Sequence, residues 1–113
     1  MKRLSICFVI SFLLLCGCSS HSISKKPIYE EANKVMELIN GSQWEMADNA
    51  AQGMQKIFNK NKWKYQLLGD ESEYTGLHQE ISKLKVSIEE KDKPEAKRNI
   101  VIIQDHIRSI YLH

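Results

Sequence analysis

The chain has 113 residues, 42% of them hydrophobic and 27% charged, with 5 Gly and 2 Pro. This composition is typical of one small, helix-rich globular domain and excludes collagen-like and disordered chains. Lys2 and Arg3 fall in a signal-like segment, and the 16 Lys and Arg less these two equal the 14 Asp and Glu, so the remaining domain is neutral. Because nucleic-acid binding needs a basic surplus, the balance argues against a nucleic-acid partner.

Residues 1–17 have the pattern of a signal peptide. The basic pair near the start is followed by an apolar run from Leu4 to Leu15, interrupted only by two serines. The run is too short to cross about 30 Å of hydrocarbon comfortably. It ends in Leu15-Cys16-Gly17-Cys18, which resembles the lipobox of bacterial lipoproteins.

The lipobox resemblance implies that cleavage follows Gly17 and that Cys18 becomes a lipidated N-terminus. A cysteine suits this role because its thiolate is the nucleophile that takes the lipid. The alternatives are an uncleaved membrane anchor and an ordinary secreted protein. Cys7 and Cys16 leave with the signal peptide, so no thiol remains for a disulfide, a metal site or a nucleophile. We therefore predict a lipid-anchored protein at the extracytoplasmic face of the cell membrane.

Helical periodicity dominates the rest of the chain, which we divide into a lipidated N-terminus with a polar tether, 18–27, and a helical domain, 28–113. A first, short helix ends before Gly41. A capping box from Ser42 to Glu45 predicts the start of a second helix. That helix carries a seam with 3-4 spacing as far as Leu68, and Asn61 is its one polar member. The apolar positions of these two helices are Ile28, Ala32, Val35 and Ile39, then Trp44, Ala47, Ala51, Met54, Phe58, Tyr65 and Leu68.

The second half of the chain repeats the pattern twice. Third and fourth helices are predicted to begin near Asp70 and Asp92. Their apolar positions are Tyr74, Leu77, Ile81, Leu84 and Ile88, then Ala96, Ile100, Ile103, Ile107 and Ile110, widened by Val101 and Ile102. Because such short loops force antiparallel neighbours, the predicted fold is all-α, an up-and-down antiparallel helical bundle of three long helices plus one short one. Asn61 is expected in its core, fixing register, so that Asn61→Leu should raise the melting temperature.

The spacing of aromatic and aliphatic residues along the chain resembles that of a known protein family. Trp44 follows a short loop, three alanines follow it, and an aromatic ladder comes next before the restart at Asp92. The ladder consists of Phe58, Trp63 and Tyr65. Together these features resemble bacterial membrane-anchored helical proteins of the domain of unknown function family 4363, over roughly residues 28–112. The resemblance implies a helical fold, and it carries no activity.

The sequence shows no side-chain arrangement typical of an enzyme. Its histidines form no pair at i, i+3 or i+4, and no cysteine is free, so the spacing of metal ligands is missing. His78 and His106 lie beside the apolar stripes and are expected to pack at the bundle edge. Acidic pairs such as Glu71 and Glu73 occupy helix ends, where capping and solvation explain them. We therefore expect a non-enzymatic protein with no cofactor and no metal.

One surface feature points to binding. On a continuous second helix, Lys56, Lys60, Trp63 and Leu67 share a face opposite the apolar seam. The first helix is too short to cover Trp63. Either Trp63 packs on the tether or a tilted neighbouring helix, or it is an exposed anchor with cationic flanks that binds a partner, an anionic envelope polymer or lipid headgroups.

Two functions are compatible with these observations. The first is a membrane-anchored, extracytoplasmic lipoprotein whose helical module binds a protein partner or an anionic envelope component. The second is a lipoprotein that binds a small ligand or acts as an inhibitor, using a pocket between its helices. An exposed Trp63 on a convex bundle favours the first, and a deep apolar pocket favours the second.

Overall fold

The computed structural model describes residues 26–112, which form five α-helices and no strand. The helices are α1 (Pro27–Asn40), α2 (Trp44–Lys60), α3 (Lys62–Leu68), α4 (Glu71–Glu89) and α5 (Lys93–Tyr111). The all-α prediction is confirmed. The predicted cleavage and lipidation positions, Gly17 and Cys18, and most of the tether lie outside the described residues.

The prediction of three long helices plus one short one is wrong, because the expected continuous helix from Trp44 to Leu68 is divided at Asn61. The backbone of Asn61 has φ −112° and ψ 19°, outside the helical region. Its side-chain Nδ2 donates to the carbonyl oxygen of Ile57 at 2.8 Å. Asparagine favours such local bonds to the backbone over helix continuation. Asn61 is therefore a helix-end residue, partly exposed, and the expectation that it lies in the core is also wrong.

The four longer helices each run antiparallel to their neighbours. In the α4–α5 pair, His106 contacts Glu73 and Ser87 contacts Asn99, so the end of α5 lies beside the start of α4. Lys93, at the start of α5, donates to the carbonyl of Asn40 at the end of α1. Phe58, near the end of α2, stacks on Tyr74 near the start of α4. The helices thus form two hairpins, α1–α2 and α4–α5, with α3 linking them.

The two hairpin turns are built alike. Ser42 and Lys91 each have φ 56°, the left-handed conformation that closes a helix C-terminus. The next amide in each turn, that of Gln43 or Asp92, donates five residues back into the preceding helix at 2.9 Å. The capping box predicted at Ser42 is therefore wrong, because Ser42 lies in the turn after α1, and Gln43, the N-cap residue of α2, makes no side-chain cap hydrogen bond.

Aspartates begin the second hairpin's helices as predicted. The side chain of Asp70 accepts from the amide of Glu73 at 2.9 Å, and that of Asp92 accepts from the amide of Glu95 at 3.2 Å. Each bond satisfies one amide that would otherwise lack a partner in the first helical turn.

The predicted apolar stripes form most of the core. The buried apolar side chains come from all five helices, and they are Ile28, Ala32, Val35, Ile39, Ala47, Ala50, Ala51, Met54, Phe58, Tyr65, Leu77, Ile81, Leu84, Ile88, Ala96, Ile100, Ile103, Ile107 and Ile110. Leu68 and Val101, which the periodicity also assigned to stripes, are exposed. Trp44 and Tyr74 are only partly buried at the core's edge.

Candidate functional site

The predicted docking residues lie on two helices and are all exposed. Lys56 and Lys60 belong to α2, and Trp63 and Leu67 belong to α3. Trp63 is 64% exposed and Leu67 is 76% exposed. The sequence predicted that the four share one face of a continuous helix, but the division at Asn61 places them on two helices. We call these four residues the Trp63 surface.

The orientation of Trp63 follows from how α3 packs. Tyr65 is the buried residue of α3, with 2% of its surface exposed. At about 100° per residue, Trp63 and Leu67 lie on the side of the helix opposite Tyr65. Gly69 brings the end of α3 close to α5, since a Cβ there would lie 2.9 Å from Cγ1 of Ile110. Turning Tyr65 inward therefore turns Trp63 and Leu67 outward.

An aromatic cluster holds α3 in place. The ring of Phe58 stacks on Tyr65, Tyr74 and His78, with centroid distances of 5.8, 5.3 and 5.4 Å. Tyr65 also meets Tyr111 edge-on at 6.2 Å. These offset and edge contacts are the geometries that aromatic rings prefer. The short α3 thus gains its position from side chains of α2, α4 and α5.

Burial also changes the acidity of two tyrosines in this cluster. Loss of solvent raises the pKa of Tyr65 above its usual value of 10.0, and the neighbouring Tyr111 raises it further. Burial likewise raises the pKa of Tyr111, although its hydrogen bond to Tyr65 acts in the opposite direction. Both phenols therefore stay neutral around pH 7, as suits packing groups.

Three segments of the chain meet at one end of the bundle, which we call the α3 end. The ammonium of Lys26, just before α1, lies 4.9 Å from the ring centroid of Tyr111 at the end of α5. Tyr111 in turn contacts Tyr65 of α3. Two further apolar side chains are exposed on these segments, Leu68 at 41% and Leu112 at 64%. The α3 end therefore combines exposed apolar side chains with the point where the described chain enters the bundle.

The segment around α3 is locally basic. No acidic residue occurs between Asp48 and Asp70, a stretch that holds four lysines, Lys56, Lys60, Lys62 and Lys64. Three of them are exposed, and Lys64 is partly buried. Acidic residues return at the start of α4, where Asp70 caps the helix and Glu73 pairs with a histidine. The domain is neutral overall, but α2 and α3 together carry a strip of lysines.

His78 and His106 pack on different partners. Nδ1 of His106 lies 2.8 Å from Oε2 of Glu73, while the ring of His78 stacks on Phe58. A Cβ at position 76 would lie 2.5 Å from Cε1 of His106, which explains glycine inside α4. Both histidines serve as packing groups at the bundle edge, as the sequence predicted.

A buried polar network between α4 and α5 was missed by the sequence reasoning. Asn99 donates to Oε2 of Glu80 at 3.1 Å, and Ser87 donates to Oδ1 of Asn99 at 2.7 Å. Lys83 donates to the other oxygen of Glu80 at 3.2 Å. Glu80 and Asn99 continue the 3-4 spacing of their apolar stripes, and polar residues at stripe positions were the available signal.

The described residues form shallow surface grooves. A groove of about 320 Å³ lies between α1 and α2, lined by Glu31, Lys34, Leu38, Met46, Asn49, Ala50 and Gly53. Within residues 26–112, no group of three or more His, Cys, Asp or Glu is placed to hold a metal ion. Across the same residues, no helix has the length and apolar character needed to cross a membrane.

The fold and the exposed α3 define an all-helical domain with a basic, tryptophan-bearing surface. The chain matches the family described as Domain of unknown function (DUF4363) over residues 18–112, and it belongs to this family. The resemblance stated from the sequence is thereby confirmed for the domain. No curated protein and no solved structure matches the chain.

Proposed function

We propose that the chain is an extracytoplasmic lipoprotein, held at the cell membrane through Cys18, whose helical domain binds a protein partner or an envelope component by the Trp63 surface. The exposure of Trp63 carries this proposal. A tryptophan turned outward on a helix whose other side is packed exposes a large apolar area without helping the core. Such side chains are typical anchors of binding surfaces.

The anchoring part of the proposal is supported by the start of the chain. The lipobox at Leu15 to Cys18 follows a basic pair and an apolar run. The family match begins at Cys18, which is the residue that cleavage after Gly17 would make the first of the mature chain. Two acyl chains would give a stable anchor, because each buried methylene contributes about 0.8 kcal/mol.

The non-enzymatic part is supported by how the polar side chains are used. The carboxylate of Glu80 bonds to Asn99 and Lys83 inside a helix interface, and Glu73 bonds to His106. The bonds from Asn99 to Glu80 and from His106 to Glu73 each join α5 to α4. These polar groups hold helices together, whereas the polar groups of an enzyme's active site face the substrate.

The alternative is a lipoprotein that binds a small ligand or acts as an inhibitor. Fully buried side chains such as Ala51, Met54, Leu84 and Ile103 meet between the helices. A small ligand would therefore bind in a surface groove such as the one between α1 and α2. The exposed Trp63 lies outside that groove, and for this reason we favour the first function.

Lipid labelling of the full chain tests the proposal. We expect incorporation of a radiolabelled fatty acid into the wild-type protein and its loss in Cys18→Ser. Cys16→Ser is the matched control, because it removes a neighbouring thiol and keeps the acceptor, so labelling should persist. Labelling that survives in Cys18→Ser, or that is absent from the wild type, would contradict the proposed anchor.

A further inference from the structure

We propose that the occupant of the Trp63 surface is the membrane itself: Trp63 and Leu67 enter the headgroup region of an anionic bilayer, and Lys60 and Lys62 contact its phosphate groups. This inference rests on the proposed lipid anchor and names the envelope component that the surface binds. It makes α3 a second point of attachment, which orients the bundle on the membrane.

The first argument is the position of the α3 end relative to the anchor. Lys26 lies against Tyr111, and Tyr111 against Tyr65, so the chain enters the bundle beside α3. Eight residue steps separate Cys18 from Lys26, and a fully extended chain of that length reaches about 28 Å. A lipid on Cys18 therefore keeps the α3 end within about one helix length of the bilayer.

The second argument is the chemistry of the exposed side chains. Trp63 and Leu67 are one helical turn apart on the outer side of α3, and Leu68, the next residue of the same helix, is also exposed. Tryptophan is enriched at membrane interfaces, where its ring is apolar and its N–H reaches the polar layer. An outward apolar face between lysines is the pattern of helices that lie in the interface plane.

The third argument is charge complementarity. Lys60 and Lys62 precede Trp63 closely in sequence, both are exposed, and neither forms an ion pair with another residue of the described segment 26–112. The headgroups of an anionic bilayer supply many phosphates to such lysines. Of the acidic side chains that follow α3, Asp70 caps α4 and Glu73 contacts His106, whereas Glu71 is exposed beside Gln66.

A lipid surface fits these observations better than a protein partner. The apolar members of the Trp63 surface, Trp63 and Leu67, project from a single short helix whose opposite side is packed, so a planar lipid surface can receive both side chains. Tethering also raises the effective concentration of lipid at this surface, because the anchor holds both together permanently. A weak interfacial contact suffices under these conditions.

Quenching by brominated lipids in vesicles tests the inference with the full, lipidated chain. The protein has two tryptophans, and Trp44 begins α2 at the opposite end of the bundle, beside Ile88 and Lys91. Trp44→Phe isolates Trp63, and Trp63→Phe isolates Trp44. In vesicles of brominated phosphatidylcholine and phosphatidylglycerol, we expect Trp63 to lose most of its emission and Trp44 to keep most of its own.

Charge variants test the role of the lysines. In the Trp44→Phe background, Lys60→Gln with Lys62→Gln should reduce the quenching gained on adding phosphatidylglycerol. Lys97→Gln is the matched control, because Lys97 is exposed near the start of α5, away from α3. Quenching that does not depend on Lys60 and Lys62 would overturn the phosphate contacts.

Equal quenching of the two tryptophans, or none of Trp63, would overturn the inference. A protein that binds this surface would give that second result, since the vesicles contain no partner. Loss of fatty-acid labelling alone would contradict the anchor and leave the lipid contact standing if Trp63 is still quenched. Fatty-acid labelling of the protein without quenching of Trp63 would support the anchor and contradict the lipid contact. The anchor and the lipid contact can therefore fail separately.

Discussion

Gly76 shows how a single residue permits a contact between helices. It lies inside α4, where glycine costs about 1 kcal/mol relative to alanine. The ring of His106 occupies the space where a side chain would begin, and that ring contacts Glu73. The missing Cβ thus allows α5 to approach α4 at the α3 end.

Gly76→Ala is expected to destabilise the protein despite the better helix propensity of alanine. The new Cβ would meet the His106 ring at 2.5 Å and displace it from Glu73. We expect a net loss of about 1–2 kcal/mol in the free energy of unfolding, measured by urea denaturation.

Gly53→Ala is the control for this change. A Cβ at Gly53 meets its nearest atom, Oε2 of Glu31, at 3.6 Å, an ordinary contact. This substitution in α2 should therefore stabilise by up to about 1 kcal/mol. In a His106→Ala background, Gly76→Ala should stabilise as well. If Gly76→Ala stabilises the wild type, the close approach of His106 does not explain the glycine.

The sequence predicted the burial of most single residues correctly where an apolar side chain falls at a helical stripe position. The isoleucines of α5 at 100, 103, 107 and 110 are buried as the period indicated. Glu80 and Asn99 also fall at stripe positions of their helices. They bond to each other across two helices, although they are 19 residues apart in sequence. Periodicity reports which side of a helix is buried and contains no information about which polar groups meet there.

Among the helices, the division between α2 and α3 could not be predicted from the 3-4 spacing of apolar residues. The 3-4 spacing continues from Phe58 through Asn61 to Tyr65, so apolar residues fall inward on both sides of the break. The break depends on a local bond from the Asn61 side chain to the backbone, which a count of apolar positions does not detect. Trp63 faces outward because Tyr65, two residues further on, is the buried residue of α3.

Asn61→Leu is now expected to lower the melting temperature, contrary to the expectation from the sequence. Leucine removes the 2.8 Å bond to the carbonyl of Ile57, at a cost of about 0.5–1.5 kcal/mol. Thermal unfolding followed by circular dichroism measures the change. Asn59→Leu is the control, because Asn59 is exposed and its side-chain oxygen accepts from Gln55 on the surface. A higher melting temperature for Asn61→Leu would argue that α2 and α3 gain from being one helix.

At the scale of the molecule, the two ends of the bundle differ in construction. One end has two tight turns at Ser42 and Lys91, and the other has α3 with its exposed apolar side chains. The two tryptophans report on these ends separately. Trp63 projects from α3, and Trp44 packs partly against the core at the start of α2.

Truncating the two tryptophans should affect stability very differently. Trp63→Ala removes a side chain that is 64% exposed, so we expect the free energy of unfolding to change by less than about 0.5 kcal/mol. Trp44→Ala removes a partly buried ring and should cost about 1–3 kcal/mol. Both are measured by thermal unfolding of the full chain in detergent. A loss of about 3–5 kcal/mol for Trp63→Ala would mean that its ring is part of the core, and would remove the basis of the Trp63 surface.

The arrangement as two hairpins has a consequence for how the chain folds. Contacts within each hairpin join residues close in sequence, whereas Gln104 of α5 donates to Asn33 of α1 at 2.7 Å across 71 residues. The entropy lost on closing a loop grows with its length, so contacts close in sequence form at the lower cost. We therefore expect the α4–α5 hairpin to be structured early and the seam between α1 and α5 to close last. Under the proposed anchoring through Cys18, the last helix to dock would be α1, the helix nearest to the lipid.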